Sequence, residues 1–124
     1  ILDDRYMGWA EQNVAESGGS LKISHDIDSA YAGADVVYAK SWGALPFFGN
    51  WEPEKPIRDQ FKHFIVDERK MALTNNGVFS HCLPLRRNVK ATDAVMDSPQ
   101  CIAINEAENR LHVQKAIMDA VAGR

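Results

Sequence analysis

Short apolar runs alternate with amphipathic stretches along the chain. Continuous or alternating apolar residues predict strands, whereas apolar residues spaced three or four apart predict helices. A Ser-Gly-Gly-Ser break at 17–20 and an Asn-Asn-Gly turn at 75–77 separate successive elements. The predicted strands are 21–24, 35–39, 78–82 and 101–104, and helices are predicted before the first break and at 26–32, 57–64, 67–74, 92–96 and 105–121.

Polar residues at the starts of the predicted helices are suited to capping them. Asp3 or Asp4 precedes the first helix, and Thr92 precedes a single helical turn. Asn105 with Glu108 resembles a capping box at the head of the last helix, which is predicted to end near residue 121.

The pattern breaks between residues 41 and 56, directly after the second predicted strand. Prolines and glycines recur there, together with four large aromatic residues. Proline and glycine interrupt regular structure, so this segment is predicted to be a long irregular loop. Its aromatic residues either pack beneath the loop or form one wall of a pocket, and they are Trp42, Phe47, Phe48 and Trp51.

The alternation of strands and helices predicts an α/β fold. The expected architecture is Rossmann-like and doubly wound, with a mostly parallel sheet and helices on both faces. Ligands in such folds bind at the carboxyl ends of the strands. The segments that follow predicted strands, and should therefore share one edge of the sheet, are 40–48, 82–90 and 105–110.

Composition and charge narrow the class of protein. With 45% hydrophobic and 25% charged residues and a net charge of −3, the chain is typical of a soluble globular domain. Its mixed charges predict no nucleic-acid partner, and no apolar run is long enough to cross a membrane. Cys82 and Cys101 are expected to be reduced thiols of a cytoplasmic protein. Histidines at 25, 63, 81 and 112 lack metal-ligand spacing, so neither a metal nor a cofactor is expected.

A basic segment follows the third predicted strand. Arg86, Arg87 and Lys90 come shortly after the sequence His-Cys-Leu-Pro at 81–84. Arginine offers a planar fork of donors and lysine a point charge, and both suit a carboxylate or a phosphate. A buried cysteine followed by a basic surface turn explains these residues equally well when they are taken alone.

Several segments together resemble the ornithine/aspartate transcarbamylase family. They are Asp-Val-Val-Tyr at 35–38, His-Cys-Leu-Pro at 81–84 and Glu-Ala-Glu-Asn-Arg at 106–110, with matching spacing between them. The resemblance implies that residues 1–124 are the C-terminal portion of the amino-acid-binding domain, without the family's carbamoyl-phosphate domain. It also implies a homotrimer, and a piece that is inactive and marginally stable by itself.

The loop after the second predicted strand indicates which branch of the family the chain resembles. Lys-Ser-Trp-Gly-Ala-Leu-Pro at 40–46 stands where members that use free ornithine carry an Asp and a Ser-Met-Gly loop. The chain therefore resembles the branch acting on N-acylated ornithine, whose neutral α-nitrogen needs no carboxylate. Asn-Val-Lys at 88–90 favours N-acetyl over N-succinyl and implies a carboxylated Lys90. The implied reaction is carbamoyl transfer from carbamoyl phosphate to the δ-amine of N-acetylornithine.

The resemblance implies roles for individual residues on the donor side. Cys82 and Leu83 receive the carbamoyl group through main-chain carbonyls, and Cys82 lines the reacting centre without acting as a nucleophile. Arg110 reaches carbamoyl phosphate.

On the acceptor side, Lys40 and Arg86 are implied to hold the α-carboxylate, with Trp42 beside them and Lys90 as a further substrate-binding residue. His25, His81 and His112 are expected to be structural or surface residues, and Arg87 and Asn88 to lie outside the site.

Other functions remain open at this point. Free ornithine or N-succinylornithine are alternative acceptors, and a non-catalytic acylornithine-binding domain is an alternative of another class. A generic nucleotide-binding α/β domain is disfavoured because the chain has no Gly-x-Gly-x-x-Gly motif and no phosphate-loop lysine.

Overall fold

A computed structural model describes residues 3–123 and has a parallel sheet at its centre. Strand β1 (Val36–Tyr38) pairs in parallel with strand β2 (Val78–Ser80), and Tyr38 lies opposite Ser80 in the register. The two strands are separated by helices along the chain. These features confirm the predicted α/β fold and both central strands, each somewhat shorter than its apolar run.

A third segment extends the sheet beyond β2. Phe79 forms a parallel bridge with Cys101, its N–H donates to the Gln100 carbonyl at 2.8 Å, and its carbonyl accepts from the Ile102 N–H at 2.8 Å. The prediction of a strand at 101–104 was wrong in extent, because only this one bridge forms before a helix begins at Ala103.

The strand predicted at 21–24 does not form within the described residues. Leu21 and Ile23, its apolar members, are 45% and 52% exposed and lie in irregular chain. Alternating residues become a strand only where a neighbouring backbone supplies hydrogen bonds. The apolar pattern at 21–24 was therefore insufficient by itself.

The described residues contain six α-helices and two short 3₁₀ turns. Their bounds are α1 Asp4–Ser17, α2 Ile27–Tyr31, α3 Trp51–Asp59, α4 Glu68–Met71, α5 Asp93–Met96 and α6 Ala103–Val121, with 3₁₀ turns at Leu45–Phe47 and Lys62–Phe64.

Side-chain caps fix the starts of several helices. Asp3 accepts from the Arg5 N–H at 3.0 Å ahead of α1, and Thr92 accepts from the Val95 N–H at 3.3 Å ahead of α5. Both caps were predicted. The capping box predicted at Asn105 was wrong, because α6 begins earlier, after Ile102, which makes no side-chain cap bond.

Helix α3 corrects the prediction that residues 41–56 form an irregular loop throughout. The helix begins at Trp51, so Pro53 falls in its first turn, and Pro56 lies further inside it. The first backbone N–H groups of a helix have no intrahelical acceptor, so a proline in the first turn removes no hydrogen bond. Proline content alone therefore placed the end of the loop too late, and the predicted helix at 57–64 too far along.

The hydrophobic core lies against β2. Phe79, on the middle of that strand, is fully buried. The buried apolar side chains that pack around it come from the segments before and after β2. They are Val66, Met71, Ala91 and Val95. A bridge between Val66 and Ala91 adds a second backbone connection. The packed centre of the sheet thus holds the carboxyl ends of β1 and β2 side by side.

Candidate active site

Lys40 and Cys82 meet at the carboxyl edge of the sheet. Each lies two residues beyond the end of its strand, and the Lys40 ammonium donates to Cys82 Sγ at 3.2 Å. The Lys40 ammonium, followed by a hydrogen bond from Tyr38, holds the pKa of the Cys82 thiol below its usual value. Two predicted site residues are thereby brought into direct contact.

The turn after β2 is fixed by its preceding histidine. His81 is buried, and its Nδ1 accepts from the Leu83 N–H at 2.9 Å. Burial, and then the charge of Lys40, lower the pKa of His81, which keeps the ring neutral with its proton on Nε2. Leu83 has a φ of 46°, a left-handed conformation that an L-residue rarely adopts, and the Leu83–Pro84 peptide is cis.

Arg110 lies beside this turn. It sits on α6, and an open cavity of about 530 Å³ is lined by Cys82, Leu83 and Arg110 together with Pro84, Ala107 and Gln114. All the residues assigned to the donor side by sequence therefore share one cavity. An exposed guanidinium next to a backbone turn is a suitable place for an anionic ligand.

A second cavity, of about 400 Å³, is lined by three of the four residues assigned to the acceptor side, and Arg86 is not among its lining residues. Lys40, Trp42 and Lys90 line it, along with Tyr31, Val37 and Phe64 among others. Lys40 also contacts Cys82 of the first cavity, so the two cavities are neighbours. The hydrophobic walls and the two cations suit a ligand that has both an apolar part and a carboxylate.

Lys90 is a buried cation. It is 3% exposed, and its Nζ lies 3.5 Å from the centroid of the Trp42 ring, a close cation–π contact. Burial and the charges of Arg86 and Arg58 lower the pKa of Lys90 to about 8, against a smaller opposing effect of Glu54. Lys90 is therefore an amine that readily loses its proton.

The residues between Cys82 and Lys90 divide into two groups. Arg86 is exposed, and its carbonyl accepts from the Lys90 N–H at 3.0 Å, so it lies near the acceptor cavity. Arg87 donates to Asp93 at the start of α5 at 2.9 Å and to Asp97, directly after α5, at 2.6 Å. Arg87 is thus part of an exposed ion-pair network, as expected for a residue outside the site.

Glu106 was missed as a site residue by the sequence. Its carboxylate accepts from the Tyr38 hydroxyl at 3.1 Å and from the Ser80 hydroxyl. Desolvation, followed by hydrogen bonds to Cys82 and Glu106, raises the pKa of Tyr38 to about 12. The detectable signal was a hydroxyl residue at the end of each central strand, with a carboxylate in the first turn of α6.

Within residues 3–123, no group of three or more His, Cys, Asp or Glu side chains is placed to hold a metal ion. None of the helices in the described part of the chain is long and apolar enough to cross a membrane.

Comparisons with known proteins agree on one family. A model of the Asp/Orn-binding domain of aspartate/ornithine carbamoyltransferase matches residues 2–121. The chain is 90% identical over its full 124 residues to N-acetylornithine carbamoyltransferase of Xanthomonas campestris pv. campestris, of which it covers 37%. It is 40% identical over 122 residues, 98% of the chain, to ornithine carbamoyltransferase of Thermococcus kodakarensis, of which it covers 38%.

Solved structures show the same relationship. A crystal structure of acetylornithine transcarbamylase in complex with acetylcitrulline is 92% identical, with a TM-score of 0.89. The match covers 97% of this chain and 36% of that one. The chain thus spans little more than a third of the length of its relatives.

Proposed function

This chain belongs to the aspartate/ornithine carbamoyltransferase family, and we propose that it is the carboxyl-terminal portion of the amino-acid-binding domain of an N-acetylornithine carbamoyltransferase. The complete enzyme would convert carbamoyl phosphate and N-acetylornithine into N-acetylcitrulline and phosphate, a reaction of arginine biosynthesis. It would bind carbamoyl phosphate mainly through a domain outside this chain. We place it in the cytoplasm, where the free thiols of Cys82 and Cys101 stay reduced.

The contact between Lys40 and Cys82 is the observation that carries the proposal. It joins a cavity suited to an anionic carbamoyl donor to a cavity suited to an acylated amino acid. A transferase that joins two substrates needs two such sites side by side, because most of its catalysis comes from holding the reacting atoms together.

On the donor side, the reaction is attack of the δ-amine nitrogen on the carbonyl carbon of carbamoyl phosphate. A C–N bond forms, the C–O bond to phosphate breaks, and the nitrogen loses one proton. The main-chain carbonyls of Cys82 and Leu83 would accept from the carbamoyl NH₂ and orient it. Arg110, which lines the same cavity, would donate to the oxygen on which negative charge develops.

On the acceptor side, the amino acid would lie along the cavity between Lys40 and Lys90. Lys40 and Arg86 would bind its α-carboxylate, and Trp42 would cover its apolar part. The acylated α-nitrogen is neutral and requires no counter-ion. This arrangement supports an N-acyl substrate more than one with a free ammonium.

The test of the proposed function uses the full-length protein. Incubation with carbamoyl phosphate and N-acetylornithine is expected to release N-acetylcitrulline and phosphate in equal amounts, measured by mass spectrometry and a phosphate assay. Binding of both substrates without product would favour the non-catalytic binding domain instead.

Lys90 is expected to be carboxylated on its ε-nitrogen. The neutral amine reacts with CO₂ to form a carbamate and a proton, and a pKa of about 8 leaves about one amine in ten neutral at pH 7. Arg86 and Arg58, which disfavour the ammonium, would stabilise the carbamate. Native mass spectrometry in bicarbonate at pH 8 should show one added CO₂ that is lost on acidification. A wild-type mass without the addition, or a Lys90→Ala variant that keeps it, would contradict the assignment.

The full-length protein is expected to be a homotrimer. Large apolar side chains of α6 are exposed in this chain, including Leu111, Ile117 and Met118, and exposed apolar surface of this kind is normally covered in a complete protein. Sedimentation equilibrium should give three times the mass of one chain. A fully active monomer would exclude the trimer.

A further inference from the structure

We propose that Glu106 is a positioning residue of the site: its carboxylate ties the ends of β1 and β2 to the first turns of α6 and thereby sets Arg110 against the Cys82–Leu83 turn. The inference deepens the proposed function and rests on it. It assigns a role to a residue that is not expected to touch either substrate.

The geometry places Glu106 between the strands and the helix. Tyr38 and Ser80 are the last residues of their strands and lie opposite each other in the register, and the hydroxyls of both donate to the Glu106 carboxylate. Ser80 is only 5% exposed and immediately precedes the His81–Cys82–Leu83 segment. One carboxylate thus fixes both strand ends from which the candidate site extends.

The position of Arg110 follows from that of Glu106. Residues four apart lie on the same face of a helix, so Arg110 lies one turn after Glu106 on the face that Glu106 anchors. Helix α6 has no side-chain cap at Ile102, so the capping residue does not anchor this end of the helix. Glu106 supplies long-range bonds instead, one of them to a residue 68 positions earlier.

Glu106 also contributes to the charge around Cys82. The groups that act on this thiol are Lys40 and Tyr38, which favour the thiolate, and Glu106, which disfavours it. Removal of the carboxylate charge is therefore expected to lower the pKa of Cys82 further. Loss of a contact that is only structural would not predict a pKa shift in this direction.

Two substitutions separate the positioning role from the charge. Glu106→Gln keeps the shape, and its amide still bonds to both hydroxyls, since each hydroxyl can donate or accept. Glu106→Ala loses both bonds. In the full-length enzyme, E106A is expected to raise the KM for carbamoyl phosphate and to lower kcat, so that kcat/KM falls by about ten- to hundredfold, because a misplacement of about 1 Å costs this much in rate. The KM for N-acetylornithine should change by less than about threefold, and E106Q should recover most of the loss.

The control is Asp119→Asn, which removes a carboxylate near the far end of the same helix. It is expected to leave both KM values unchanged. If E106A does not fold, Tyr38→Phe removes one of the two donors and should raise the KM for carbamoyl phosphate in the same direction by a smaller factor. A wild-type KM in E106A, or parallel changes for both substrates that E106Q does not relieve, would overturn the inference.

A second readout does not depend on turnover. Iodoacetamide labelling of Cys82, followed by peptide mass spectrometry with Cys101 as internal reference, should shift to lower pH in E106Q. An unshifted profile would refute the charge effect on Cys82, while the KM values of E106A and E106Q decide the positioning role. Calorimetric binding of carbamoyl phosphate, measured without an acceptor, tests the role of Glu106 separately from the proposed function. If the wild-type protein binds carbamoyl phosphate but makes no product, the proposed function is refuted. Weaker binding by E106A would still support the role of Glu106 in that case.

Discussion

The full-length enzyme is expected to use N-acetylornithine at least about 100-fold better than free ornithine, measured as the ratio of kcat/KM. Lys40 and Trp42, from the segment 40–46, supply a cation and an indole to the acceptor cavity. An α-ammonium placed there would meet Lys40 without a free carboxylate, and an unpaired buried charge costs several kcal/mol. A factor of ten in rate corresponds to about 1.4 kcal/mol, so a cost of several kcal/mol accounts for a ratio of about 100 in kcat/KM.

Two carboxylates close to residues of this cavity are already engaged. Glu106 accepts from Tyr38 and Ser80, and Glu54 lies 3.7 Å from Arg58 in an ion pair. Neither is a ready partner for a substrate ammonium. A carboxylated Lys90 would be the exception, because it would place a new anion beside Trp42.

The measurement compares kcat/KM for N-acetylornithine, N-succinylornithine and ornithine, with Lys90→Ala assayed in parallel. Similar values for ornithine and N-acetylornithine would refute the specificity argument. A preference for N-succinylornithine would retain the acylated branch and refute the acetyl assignment. If carboxylated Lys90 attracts free ornithine, the Lys90→Ala variant should discriminate against ornithine more strongly than wild type.

Replacement of Arg110 by alanine is expected to lower kcat/KM for carbamoyl transfer by about 100- to 1,000-fold, the usual cost of losing one donor to a developing oxyanion. Arg110 is exposed at the cavity that Cys82 and Leu83 also line, so its guanidinium is free to approach the donor substrate. Because the loss concerns the transition state, kcat should fall as well as kcat/KM. Arg110→Lys keeps the charge without the planar fork and should recover only part of the activity.

Arg87→Ala is the matched control for Arg110. Arg87 is also an exposed arginine, but it pairs with Asp93 and Asp97 and lines neither cavity. Its removal is expected to leave kcat/KM within about twofold of wild type, as for ordinary surface substitutions. Steady-state kinetics with each substrate varied in turn will measure both variants. Equal activity of Arg110→Ala and Arg87→Ala would remove Arg110 from the site.

Local chemistry explains which elements were predictable from sequence. The caps at Asp3, Asp26 and Thr92 involve residues within three positions of one another, so a short segment specifies them. A strand at 21–24 would need hydrogen bonds from a neighbouring backbone segment. The apolar pattern of these residues could not show whether such a segment lay beside them. The start of α3 was misplaced because the rule for proline depends on its position in the helix, which sequence alone does not settle.

The site shows the same division. Lys40, Cys82 and Arg110 were predicted as site residues because each follows a strand end or lies early in a helix after one, and because they lie in segments that resemble a known family. Glu106 was missed because it bonds to residues 26 and 68 positions away. In the sequence it looked like part of a helix start. Its partners became visible only when the register placed Tyr38 opposite Ser80.

The bond from Tyr38 to Glu106 has a consequence for synthesis on the ribosome. The 68 positions from Tyr38 to Glu106 take roughly 3 to 14 s to translate. During that interval β1 exists without β2, then without the first turns of α6. The nascent chain therefore exposes the unpaired edge of β1 together with apolar side chains of that strand such as Val36. Chaperones bind surfaces of this kind, and such surfaces aggregate when they are left uncovered. Glu106 and Arg110 follow both strands in the chain, so their contacts can form only after the first turns of α6 have been synthesised.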